Sequence, residues 1–194
     1  MPERLPRLLP QALSPDQTAI YAKFTTGPRA APRDGFSLVH PDGGLIGPPN
    51  SWLLSPPLGS ALEQLGGAVR FHLTLPSRIR ELAILAVGVA CHSPFEVETH
   101  LGAARSAGVD DEAIAAVLAG REPQFDDDAE RTAHDVTQAI LRRHGLDDDL
   151  YATAVESLGE RGLFELVTLV AYYELVATQL EVFGTAEDTA GVSA

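Results

Sequence analysis

The polar residues with the most chemical reach lie in the middle of the chain. Arg80-Glu81 is followed by Cys91-His92-Ser93-Pro94-Phe95-Glu96-Val97-Glu98-Thr99-His100. Glu96 and His100 are four apart, so on a helix they share a face. A carboxylate beside an imidazole can orient a general base or hold a proton. Glu81 opens the most apolar stretch, Leu82–Cys91. Burial there favours the protonated carboxyl, which can donate. Each pattern has a plainer alternative. Glu96 and His100 would form a solvated surface pair, Glu81 would pair with Arg78 or Arg105, and Cys91 would be a small buried apolar residue. His72, His134 and His144 sit in polar helical text and read as surface residues.

Other chemistries find less support. His92, Glu96 and His100 have the spacing of metal ligands on one helix. Pro94 starts the helix after His92, however, and there is no fourth ligand and no HExxH motif, so no metal is expected. Neither a GxSxG elbow nor a GxGxxG or GxxxxGKS loop occurs, which removes the motifs for a serine nucleophile and for nucleotide cofactors. One cysteine cannot form an internal disulfide or a CxxC pair.

The elements that must carry these residues are helices. Leu58–Leu73, Ser77–Ala90, Pro94–Ala107, Asp110–Ala119, Asp127–Arg143, Asp147–Leu158 and Arg161–Phe183 are alanine- and leucine-rich with helical spacing. Ser93-Pro94 reads as an N-cap with proline in the first turn, and Gly108 followed by Asp110 as a stop and a new cap. The only strand-like text is Ser37–Val39. Around it, from Gly27 to Pro57, proline and glycine break the chain too often for a long helix. A loop of about 30 residues in a compact domain is more often functional than idle. The expected organisation is an N-terminal helix and Pro/Gly-rich arm over 1–57, a helical domain over 58–184 and a disordered tail over 185–194. Because Leu82–Cys91 is apolar nearly all round, it must be buried on every side, and packing between subunits would make that easier.

Composition sets the outer limits. The chain has 194 residues, 45% hydrophobic and 21% charged, with a formal charge of −13. These are the proportions of a globular domain. Its sign repels phosphate backbones and anionic lipid headgroups, so neither nucleic acid nor a membrane surface is an expected partner. The N-terminal MPERLPRLLPQ has no apolar signal core. A soluble, cytoplasmic protein is the expectation.

The stretch Leu75–Gly108, LPSRIRELAILAVGVACHSPFEVETHLGAARSAG, resembles the core pattern of the carboxymuconolactone decarboxylase family, LPxRxRELxIL followed by YEWxxH and xxARxAG. Gly47-Pro48-Pro49-Asn50-Ser51-Trp52-Leu53 is similar to that family's GPFNxWL segment, and Glu165 through Tyr173 to its last helix. The resemblance implies an all-α, alkylhydroperoxidase D-like helical bundle that assembles as a trimer or hexamer and works without a cofactor. It implies His100, Glu96 and Glu81 as catalytic residues. His100 would be the acid/base, Glu96 its orienter or a second proton carrier, and Glu81 a buried proton donor. Asn50, Trp52, Arg80 and Phe95 would contact a small-molecule substrate. In the peroxidase branch two thiols fall where this chain has Ser93 and Glu96, so disulfide exchange is disfavoured. Phe95 and Val97 stand where the pattern has tyrosine and tryptophan. The implied activity is a lyase or decarboxylase acting on a small lactone or enolisable carboxylated compound. The alternatives are a tailoring enzyme for dehydration, isomerisation or ring opening, and a non-catalytic binding scaffold.

Overall fold

A computed structural model describes residues 4–26 and 37–184. The expected tail over 185–194 and the first part of the Pro/Gly-rich arm lie outside the described residues. After a 3-10 turn at Pro10–Ala12, eight helices follow. They are α1 (Pro15–Thr25), α2 (Pro48–Trp52), α3 (Pro56–Phe71), α4 (Ser77–Ala90), α5 (Pro94–Ser106), α6 (Asp111–Leu118), α7 (Asp128–Arg143) and α8 (Asp148–Phe183). No strand forms among the described residues. The strand-like Ser37–Val39 contributes only an isolated bridge from Val39 to Leu45. The fold is all-α, as the periodicity predicts.

The described residues divide into two compact units. One takes the chain up to Ala68 together with the residues from Thr178, and the other is Val69–Ala177. The borders of these units fall inside α3 and α8. In the first unit, α1 is closed by a capping box in which Ser14 and Gln17 satisfy each other's backbone N–H groups. Gln17 Nε2 also donates to the Leu53 carbonyl at 2.9 Å. Phe24 and Trp52 pack at 5.8 Å between ring centres, both buried.

The second unit is built around α4. Every residue from Leu82 to Gly88 is buried, so the all-round apolar text is explained by burial within a single chain. α4 packs on α5, α6 and α7, and Leu82, Leu85, Ala86, Ala104, Val109, Ala113, Ile114, Val117 and Phe125 form the core between them. The caps act as the sequence suggests at Asp110 and Asp127, whose carboxylates accept first-turn N–H bonds. Ser93 occupies the cap position of α5 but its hydroxyl makes no capping bond. His134, expected at the surface, is half-buried against Phe125, with burial pushing its imidazole pKa down.

α8 reads in the sequence as two helices, and the structure agrees in substance. Gly159, at φ 71° and ψ 162°, breaks the helical path inside Asp148–Phe183. Nothing lies near enough to crowd a side chain there, so the left-handed φ is what calls for glycine. Beyond the break, Glu165 accepts from the Thr74 and Leu75 N–H groups and the Thr74 hydroxyl, and pairs with Arg161. This fixes the α3–α4 connection on α8. α8 is also long and apolar enough, by length and composition, to cross a membrane. Its best window has a mean hydropathy of 1.3 and is 44% buried inside the protein, and core helices pass the same test.

Gly88 sets how closely α5 approaches α4. A Cβ on it would lie 3.0 Å from Val97 Cγ2 and 3.3 Å from both the Glu96 Cβ and the Val97 nitrogen. Overpacking of this kind costs about 1–3 kcal/mol. Gly88→Ala is therefore expected to lower the unfolding free energy measured by urea denaturation by that amount. Gly145→Ala, in open space, is expected to change it much less.

Candidate active site

The turn from Cys91 to Ser93 folds α5 back along α4. Cys91 N–H bonds the Val87 carbonyl, His92 N–H that of Val89, and Ser93 N–H that of Gly88. His92 sits in this turn at φ 52°, exposed and outside α5. It cannot join Glu96 and His100 on one helical face. Among the described residues no group of three or more His, Cys, Asp or Glu side chains is placed to hold a metal ion.

The antiparallel approach brings Glu81, at the start of α4, to His100 on α5. His100 Nδ1 lies 2.7 Å from Glu81 Oε2, and His100 Nε2 lies 3.7 Å from Glu96 Oε2. The first separation is a short, charge-assisted hydrogen bond, and the second is too long for one. The His100 and Glu96 side chains are 5% and 4% exposed, so neither is a solvated surface pair. The competing partners for Glu81 are engaged elsewhere. Arg78 pairs with Glu130 and Arg105 with Asp111.

The environments of the two glutamates differ. Glu81 holds the imidazole through Nδ1, whereas Glu96, expected as an orienter or a second proton carrier, makes no hydrogen bond to it. Glu96 lies in the drier position. Burial pushes its carboxyl up to about 7, against the opposing charges of His100 and Arg70. Near neutral pH Glu96 is thus the group that can hold and release a proton. With Nδ1 held by Glu81, Nε2 faces Glu96.

The remaining expected residues are distributed unevenly. Phe95 is buried in the first turn of α5. Arg80 donates from Nη1 to the Arg70 carbonyl at 3.1 Å, while its Nε is enclosed without a partner. Asn50 and Trp52 belong to the other unit, where their polar groups are committed. Asn50 accepts from Leu8 N–H and donates to the Pro6 carbonyl, and Trp52 donates to Gln179 Oε1. The Cys91 thiol is half-buried, and burial, followed by Glu174 and Glu96, pushes its pKa up. A thiol so placed is a poor nucleophile.

Two residues of the cluster escape sequence reading. Tyr173 of α8 meets His100 edge-on, ring centres 5.2 Å apart. Arg70, at the end of α3, acts electrostatically on both Glu96 and Tyr173. No local motif marks either one.

The chain thus contains an all-α domain in which an imidazole is buried between two carboxylates of unequal exposure. Residues 56–139 match the model of the carboxymuconolactone decarboxylase family, and this segment carries Arg80, Glu81, Glu96 and His100. Tyr173, Asn50 and Trp52 lie outside the matched residues. No curated protein matches the chain.

A carboxyl titration followed by isotope-edited NMR is expected to show Glu96 changing charge near pH 7, because burial raises its pKa to about 7. Arg70→Met removes an opposing charge and is expected to move that midpoint higher. The folded pKa lies above the unfolded one, so ionised Glu96 weakens the fold as pH rises. Glu96→Gln is expected to be more stable than the wild type above pH 7, with the difference closing below about 4.5.

Proposed function

We propose that this protein is a cofactor-free lyase that decarboxylates a small lactone or enolisable carboxylated compound by acid/base catalysis. The observation that carries the reading is the arrangement at His100, held at Nδ1 by Glu81 at 2.7 Å, with Nε2 facing a carboxyl whose pKa is raised to about 7. It lies within the family's matched residues. The 3.7 Å gap to Glu96 leaves that carboxyl's proton uncommitted to the imidazole.

In the proposed reaction the bond to the departing carboxylate breaks and carbon dioxide leaves. The electron pair spreads onto a carbonyl oxygen as an enolate. Glu96 supplies the proton that the carbon takes up, His100 exchanges protons with it through Nε2, and water restores the one consumed. Burial lowers the effective dielectric and strengthens each of these interactions. Arg80, with an enclosed and unpartnered Nε, supports a role in anchoring an anionic group, and Phe95 supplies apolar wall.

The single half-buried thiol counts against thiol peroxidase chemistry, which needs an attacking and a resolving sulfur. Phe164, Val167 and Leu175 are exposed on one side of α8, which supports self-association as a trimer or hexamer. The acidic composition supports a soluble, cytoplasmic setting.

The test is carbon dioxide release from 4-carboxymuconolactone. His100→Ala is expected to lower kcat/KM by at least about 10²-fold, the usual contribution of one proton-transfer group. Glu81→Gln is expected to lower it by about tenfold or more, through loss of imidazole orientation. Since Glu96 acts in its protonated form, the rate should fall as pH rises through about 7. Equal turnover in His100→Ala would overturn the assignment. Absence of turnover in the wild type would remove this substrate and favour a tailoring reaction on a larger molecule.

A further inference from the structure

Tyr173 brings a phenol into the cluster from outside the family's matched residues. Its ring is buried, 6% exposed, and is fixed by two perpendicular contacts. It meets His100 at 5.2 Å and Tyr172 at 5.4 Å. Buried tyrosines usually find a partner for the hydroxyl, yet this hydroxyl makes no hydrogen bond among the described residues. It is not sealed in either, because the only fully enclosed side-chain polar atoms without a partner there are Arg80 Nε and Ser93 Oγ. The hydroxyl is thus an unpartnered donor that is not wholly enclosed.

The charges around it are unequal. Glu96, Glu81 and Tyr172 disfavour ionisation of the phenol and Arg70 favours it, with burial the largest influence, so the proton stays on. The Arg70 guanidinium is half-buried and makes no ion pair or side-chain hydrogen bond among the described residues, while its charge reaches both Tyr173 and Glu96. A neutral donor thus stands beside His100 with no acceptor of its own, and the Arg70 charge reaches the same cluster. Preorganised donors of this kind stabilise negative charge on oxygen.

We propose that Tyr173 and Arg70 form an oxyanion-binding site next to His100, one that takes an enolate- or phenolate-type oxygen. Its catalytic use rests on the lyase reading, in which an enolate oxygen develops. The Tyr173 hydroxyl would donate to that oxygen and the Arg70 charge would balance it, while Glu96 and His100 move the proton.

Binding of 4-nitrophenol tests the site without turnover, because the bound phenolate is distinguished from the phenol by its visible absorbance. At a pH where the free probe is mostly phenol, the wild-type chain is expected to draw it into the phenolate form. Tyr173→Phe keeps the ring and its contact with His100 and removes only the donor. Its affinity for the phenolate is expected to fall about tenfold or more, and that of Arg70→Met likewise. Circular dichroism of both variants checks that the helices remain. Where carbon dioxide release is measurable, Tyr173→Phe should lower kcat by about 10²-fold with little change in KM. Failure of the wild type to take up phenolate would overturn the proposal, as would unchanged binding in Tyr173→Phe. Phenolate binding that is lost in Tyr173→Phe, in a protein that releases no carbon dioxide from 4-carboxymuconolactone, would keep the oxyanion site while removing that substrate and favouring the tailoring reaction.

Discussion

The short contact between His100 Nδ1 and Glu81 Oε2, at 2.7 Å, is the constraint on which the rest of the site depends. It joins the first turn of α4 to the middle of α5, so both helices must lie close and in fixed register. Gly88 permits the approach at the other end of α4, where α5 passes within van der Waals distance. The α4–α5–α6–α7 core holds that geometry from behind. A buried ion pair is weak evidence for stability by itself. Its value here is orientation, because it sets which imidazole nitrogen faces Glu96.

Burial then separates two chemically identical side chains. Glu81 keeps 15% of its side chain exposed and a direct partner, while Glu96 keeps 4% and stands 3.7 Å from its nearest imidazole nitrogen. Burial of this kind is how a carboxyl comes to hold a proton near neutral pH, and burial raises the pKa of Glu96 to about 7. Arg70 opposes the desolvation of Glu96, which keeps the carboxyl within reach of neutral pH. The same guanidinium acts on Tyr173. One cation from the end of α3 therefore tunes groups on both α5 and α8.

The residues outside the matched family segment divide by location. Tyr173 and Glu165 belong to the unit that holds His100, and Glu165 ties the α3–α4 connection to α8 through three accepted hydrogen bonds. Asn50 and Trp52 belong to the other unit. Their polar atoms are occupied by Leu8, Pro6 and Gln179, and these bonds hold that unit together.

The helices, their caps and the burial of Leu82–Gly88 were legible in the amino-acid order, because helical periodicity, proline and capping residues act within a few positions of one another. So were Glu81, Glu96 and His100 as candidates, since their types and the spacing of the last two are local facts. The family pattern was legible for the same reason. The tertiary structure alone decided which glutamate binds His100. That depends on a contact across 19 positions and on unequal burial, and neither leaves a trace in local spacing. It also decided that His92 turns away from α5, that Gly88 is needed for a close crossing, and that Arg70 and Tyr173 join the cluster from separate helices. Local sequence specifies local conformation, whereas desolvation and long-range charge arise only once distant helices have packed.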